Sequence, residues 1–208
     1  HASHEWARMV SGNVREAAKD APRGRMVGLL FDLQGPSIRT GTLPEAFSLK
    51  EGDEVEFRCR ESEPRIPLST TVNYSGIIED VSEGDSLLVD NGSMIMRVKA
   101  IDEDRITCTV RTDGSLGSRR HINLPGVRLN LPALTEKDRA DIKVATECDA
   151  DFIAGSFVRD GEHVHELRAE IEQSGGHAQI ISMLEDQEAI KHLDDIVKAS
   201  DLVMVARG

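Results

Sequence analysis

Three features of this 208-residue sequence predict an α/β fold interrupted by a small β domain. Beyond Leu134, apolar runs starting near residues 151, 178 and 201 alternate with amphipathic segments, at the pitch of one βα unit. Near the amino end an amphipathic segment leads into the apolar run 27–31, which stops at Asp32 and turns through Gly35-Pro36. Between these regions, residues 42–120 change texture to short β-type runs broken by Gly-Asp and Asn-Gly turns. Together they predict a partial (β/α)8 TIM barrel with an inserted small all-β domain, an antiparallel sheet or barrel. The insertion follows a strand end on the face where barrels place chemistry, so it can act as a lid. Expected boundaries are 1–36 and 130–208 for the barrel segments and 37–129 for the insertion. Both termini fall against predicted elements, so the chain is expected to be a fragment truncated at both ends.

Each element has a local reason. Ser3 is a candidate N-cap, and Trp6, Met9, Val10, Val14, Ala17 and Ala18 recur at helical spacing until Pro22 and Gly24. Val27 and Leu29–Phe31 are too continuous for a half-exposed strand and too short for a helix, which predicts a strand buried on both faces. In the insertion, Glu54–Arg60, Ser86–Val89, Ser93–Ala100 and Arg105–Val110 read as strands. Thr135 with Asp138 resembles a capping box that opens a helix to about Cys148. Strands are expected over Asp151–Phe157, Ala178–Leu184 and Leu202–Ala206. Val164, Leu167 and Ile171 mark one intervening helix, and Ala189 to Val197 mark the next.

Composition narrows the function. Hydrophobic residues make up 39% of the chain, enough for a real core. The formal net charge of −12, from 37 acids against 25 Lys and Arg, argues against nucleic acid or an anionic membrane as partner. No run approaches the roughly 18 apolar residues of a membrane span, so a cytoplasmic location is expected. Cys59, Cys108 and Cys148 are far apart and lack Cys-x-x-Cys spacing, so reduced structural thiols are expected.

The predicted strand ends supply Asp32, then Ser156-Phe157 with Arg159, then Met183 with Glu185, then Arg207-Gly208, which a barrel would gather at one mouth. Acids at such a mouth suit a magnesium ion that keeps positions open for phosphate or enolate oxygens, and Glu185 is the best candidate ligand. Arg39 can fork onto a phosphate or carboxylate. Gly114–Gly126 carries Arg119 and Arg120 on a glycine-rich return that can fold over a nucleotide phosphate. His163 and His165, two apart on a helix, point to different sides and do not share a metal. No dinucleotide or Walker glycine spacing is present.

FDLQGPSIRTG, VDNGSMIMRV, GSRRHINLPGVRLNLPALTEKD, DFIAGSFVR, IISMLED and LVMVARG, with Ala2-Ser3-His4, resemble segments of the pyruvate kinase family in that family's order. The resemblance covers essentially the whole chain. It implies phosphoryl transfer between phosphoenolpyruvate and ADP, giving pyruvate and ATP in glycolysis, with Mg2+, often K+, and a homotetrameric full-length protein. It implies that Glu185 binds magnesium beside an aspartate beyond Gly208, and that Ser3, Asp32 and Leu33 stand at the monovalent-cation site. Arg39 and Arg120 match basic residues facing the transferring phosphoryl group or the nucleotide. Ser156, Phe157, Arg159 and Gly208 match substrate-pocket positions.

Three positions depart from the family pattern. His1 replaces a cation-binding asparagine, and Ser37 stands where one branch of the family has a lysine that makes potassium unnecessary. Met183 replaces the lysine that neutralises the phosphoryl group and enolate, and a thioether carries no charge. Two alternatives follow: a catalytically silent relative that binds phosphoenolpyruvate or nucleotide, and a magnesium-enolate aldolase or lyase. The fragment alone is expected to be inactive.

Overall fold

The computed structural model describes residues 3–20, 27–185 and 187–206. It divides the chain into two units, His1–Pro36 with Pro132–Gly208, and Ser37–Leu131. In the first unit, Ser3 accepts a hydrogen bond from the Trp6 amide and starts helix α1 (His4–Lys19). Trp6 and Met9 are about half exposed, and the buried residue of α1 is Ser11. The apolar stripe expected to face the core is therefore displaced. His4 and Arg8 tie the helix to Asp141 and Glu147, which turns the Trp6–Met9 side outward.

Strand β1 (Leu30–Asp32) corrects a second expectation. Val27 and Leu30 are 42% and 44% exposed, because β1 lies at a sheet edge with a strand on one side only among the described residues. The doubly apolar run reflects a strand suited to burial, not one buried in this chain.

The second unit contains β2 (Phe47–Leu49), β3 (Glu54–Arg58), β4 (Ser69–Thr71), the one-turn helix α2 (Ile77–Asp80), β5 (Ser86–Val89), β6 (Met94–Ile101), β7 (Arg105–Val110), β8 (Gly114–Leu116) and β9 (Ile122–Asn123). Six strands form a sheet in the order β4-β3-β7-β6-β5-β9, and β2 pairs with β8. Met94, Met96 and Val98 point inward from β6 while Ile95, Arg97 and Lys99 point out, the period of two that a half-buried strand requires. The β5–β6 turn places Asp90, Asn91 and Gly92 at φ 53°, 55° and 81°, which explains the Asp-Asn-Gly run. β2, β4, β8 and β9 are too short to show a period, and sequence periodicity passed over them. Gly114 opens β8 because a Cβ there would lie 2.5 Å from Met94 Cγ.

One charged cluster sits inside this unit. The Arg105 and Glu56 side chains are 4% and 2% exposed, and Arg105 Nη1 donates to Glu56 Oε2 at 2.7 Å. Arg105 also forks onto Asp104 at 2.8 and 2.7 Å, while Ser69 and the Arg65 amide donate to the other Glu56 oxygen.

The first unit resumes with α3 (Glu136–Glu147), β10 (Phe152–Gly155), α4 (Gly161–Gln173), β11 (Gln179–Leu184), α5 (Gln187–Lys191), α6 (Leu193–Ala199) and β12 (Leu202–Val205). The sheet order is β1-β10-β11-β12, all parallel, with Phe31, Ile153 and Ile180 in one row. Ile153 and Ile180 pack with Ile142, Val164, Leu167 and Ile171 from the helices, so the helical period and the strand run meet in one core. The helix expected over 189–197 is broken at His192 (φ −107°, ψ 20°) into α5 and α6, leaving Ile190 and Val197 exposed. All three cysteines are free thiols. Cys59 and Cys108 are buried, and burial pushes the Cys59 thiol up to about 11. Among the described residues no helix is long and apolar enough to cross a membrane.

Candidate active site

The carboxyl ends of β1, β10 and β11 build one site within the first unit. Asp32 is in register with Ala154 and, one strand further, Ile181, and the Leu33 amide extends the pairing by donating to the Ala154 carbonyl at 3.0 Å. Ser156 follows β10, and its hydroxyl donates to the Leu33 carbonyl at 2.8 Å. The same hydroxyl is 3.4 Å from Met183 Sδ. Its one proton thus faces two acceptors, of which the thioether is the weaker. Burial pushes the Asp32 carboxyl above its ordinary value, and the Ser156 hydrogen bond offsets part of that rise.

Glu185 lies just past β11, and its Oε2 accepts the Phe157 amide at 2.8 Å. Phe157 adopts φ 55°, which turns its N–H toward the carboxylate. Gly35 (φ 67°) packs against the same turn: a Cβ at Gly35 would lie 2.9 Å from Phe157 Cδ2 and 3.0 Å from the Ser156 carbonyl oxygen. Gly35→Ala should therefore lower stability by about 2 kcal/mol from left-handed strain alone, read as a lower urea midpoint, with more lost to the contact. Arg159 places its amide 3.0 Å from His163 Nδ1 and its guanidinium 3.0 Å from Nε2. His163 is occupied by that arginine at the start of α4.

The residues fit magnesium in one way. Glu185 offers a carboxylate oriented by a backbone amide, and magnesium is commonly held by one or two carboxylates together with substrate oxygens. No group of three or more His, Cys, Asp or Glu able to cage a metal occurs among the described residues, so the ion would be shared with substrate. The monovalent-cation positions fit less well. The Ser3 hydroxyl caps α1, the Leu33 side chain is buried with its carbonyl bonded to Ser156, and His1 lies outside the described residues. Gly208 lies outside them as well.

Arg39 and Arg120 belong to the second unit, where the fold draws them near one another. Arg39 pairs with His121 in an isolated bridge, donates its amide to Asn73 Oδ1 at 2.7 Å, and reaches Ser37 Oγ and the Arg119 carbonyl at 3.2 Å. Burial, then the Arg39 charge, lowers the His121 pKa. The glycine-rich return is a built pairing, not a free loop: Thr40 N–H donates to the Arg120 carbonyl at 2.9 Å and Arg119 N–H to the Gly41 carbonyl at 3.0 Å. Arg120 extends over Gly117 to Asp90 Oδ1, 3.3 Å away.

Two participants escaped sequence reasoning. Asn73 both accepts from the Arg39 amide and donates to the Ser37 carbonyl, and no local pattern marks it. Asp138 was legible as a helix cap, but its bond to Gly35, 103 residues away, was not.

A family model described as pyruvate kinase, barrel domain, matches residues 1–208. The chain is 41% identical over 212 residues to a pyruvate kinase of Geobacillus stearothermophilus, covering all of this chain and 36% of that one. It is 39% identical to plastidial pyruvate kinase 2 of Arabidopsis thaliana and 36% identical to a pyruvate kinase of Clostridium perfringens, covering 35% and 43% of them. The chain thus spans 35–43% of the length of these relatives. With a model match from end to end and strand ends that carry the motifs in family order, the chain belongs to the pyruvate kinase family.

Proposed function

We propose that the full-length protein transfers a phosphoryl group between phosphoenolpyruvate and ADP, with the site built on β1, β10 and β11 as its catalytic mouth. The observation that carries this reading is the Glu185 carboxylate, held at a parallel strand end by the Phe157 amide. Glu185 would hold Mg2+ together with substrate oxygens. The ion supplies positive charge that the side chains at this mouth largely lack.

In the forward direction the bond from phosphorus to the enol oxygen breaks and a bond to a terminal oxygen of ADP forms. The enolate left behind takes a proton at its methylene carbon and becomes pyruvate. The Phe157 amide keeps Glu185 aimed, the Ser156 hydroxyl lines the pocket, and Arg159 adds a cation at its edge. Arg39 and Arg120 would meet the phosphates of the nucleotide or of the transferring group. A homotetramer in the cytoplasm fits the same reading. Potassium has no assigned part in it.

A second reading is favoured by the Met183–Ser156 contact: the mouth binds phosphoenolpyruvate without turning it over. ATP formation by the full-length protein from phosphoenolpyruvate, ADP and Mg2+ separates the two. Turnover that stops on chelation, and falls by about 10² or more in Glu185→Gln, is expected. Tight phosphoenolpyruvate binding without turnover would establish the second reading, and no binding at all would overturn both.

A further inference from the structure

We infer that Asp138 is a positioning residue for this mouth, acting through Gly35 on the Ser156-Phe157 turn and so on the Glu185 carboxylate. Asp138 is fully buried, which a helix-capping acid does not need to be. Its Oδ2 does the capping work at α3, accepting from the Thr135 amide at 2.9 Å and the Thr135 hydroxyl at 2.6 Å. Its Oδ1 accepts from the Gly35 amide at 3.0 Å, a bond that helix α3 does not require.

That second arm fixes a point with little tolerance. Gly35 holds a left-handed conformation and lies so close to Phe157 and the Ser156 carbonyl that a single added carbon would collide with both. Phe157 is itself left-handed, and its amide is the group bonded to Glu185. The Leu33–Gly35 and Ser156-Phe157 segments brace each other, through the Ser156 hydroxyl and through contact at Gly35. Asp138 ties this pair to a helix. It also bonds the chain at two separate passages, Gly35 shortly before Ser37–Leu131 and Thr135 shortly after it.

The consequence for metal binding rests on the reading of Glu185 given above, and the test separates the two claims. Asp138→Ala removes both arms, whereas Thr135→Ala removes only the hydroxyl at the cap. Asp138→Asn keeps an oxygen for Gly35. In the full-length protein, amide hydrogen exchange at Gly35 and Phe157 should speed by about tenfold or more in Asp138→Ala, beyond any change at the Ile180 amide. Thr135→Ala should lower the melting temperature yet leave Phe157 exchange within about twofold, and Asp138→Asn, whose amide nitrogen cannot accept from Thr135, should also lower the melting temperature but keep Phe157 exchange near the wild type. Mn2+ affinity, read by electron paramagnetic resonance, should weaken by about 10–100-fold in Asp138→Ala alone, the usual effect of losing an outer partner of a metal ligand.

If Phe157 exchange in Asp138→Ala matches that in Thr135→Ala, Asp138 is only a cap and the inference fails. If the wild type binds no Mn2+, the metal reading fails while the exchange comparison still decides the role of Asp138. Asp138→Ser keeps a hydroxyl near Thr135 but is too short for Gly35, and it replaces Asp138→Ala if that variant does not fold.

Discussion

Met183→Lys in the full-length protein should raise the rate of ATP formation by about 10²–10³-fold, the usual worth of one preorganised electrostatic group. The phosphoryl group and the enolate are both anionic, and the mouth that would receive them already carries Asp32 and Glu185. Met183 sits among these groups on β11, half-buried and touching Ser156 Oγ, and its thioether adds no positive charge. A lysine there would also stabilise ionised Asp32, drawing its raised pKa back toward the ordinary range. The pH dependence gives an independent check. Because the folded-state pKa of Asp32 is raised, its ionisation costs stability as pH rises from the ordinary carboxylate value through the folded one, and the lysine should reduce that loss. If the wild type is already fast and the lysine adds little, another cation supplies the charge. If the wild type is silent and the variant gains turnover, the chemistry was lost at this position while binding was retained.

Arg105→Met should cost the second unit about 3–5 kcal/mol, because it strands the Glu56 carboxylate in a nearly dry interior. The double variant Glu56→Leu with Arg105→Met should recover most of that, since neither charge is then left alone. Urea midpoints at pH 7 and pH 4 report both effects. Burial acts to raise the Glu56 pKa, but hydrogen bonds from Ser69, Arg105 and the Arg65 amide, with the Arg105 charge, outweigh it and leave the pKa lowered. The lowered value means that Glu56 contributes stability above the ordinary carboxylate pKa, and that this is lost as pH falls through the folded value. Without Arg105 the burial effect dominates, Glu56 takes up a proton at higher pH, and the gap between variant and wild type narrows in acid. A gap as wide at pH 4 as at pH 7 would show that lost packing, not the stranded charge, sets the cost.

Strands β10 and β11 each start one residue from where the apolar runs placed them and β12 starts at the expected Leu202, because a buried parallel strand is marked by its own side chains. Helix α3 was equally legible, since its capping box lies within four residues. Burial was harder to read. The run at β1 is apolar enough for two covered faces, yet which faces are covered depends on the neighbouring strands. The same distinction separates the candidate site residues. Asp32, Ser156 and Glu185 could be placed at strand ends because a strand end is a local feature with a known orientation. The Glu185–Phe157, Asp138–Gly35 and Arg39–Asn73 bonds were not, because each joins segments separated by 28 to 103 residues and carries no periodic trace.

The separation of β1 from β10 has a consequence for how the chain acquires its structure. The Ser156–Leu33 bond closes a loop of 123 residues, which a growing or refolding chain reaches late. Ser37–Leu131 has a hydrophobic cluster of its own, and within it Ile122 N–H bonds to the Ile38 carbonyl at 2.8 Å. Once that cluster has condensed, the path between β1 and β10 is short-circuited to about a third of its length, which lowers the entropy cost of pairing them by roughly 1 kcal/mol. The intervening segment therefore acts as a folding splint for the strand pair on either side of it.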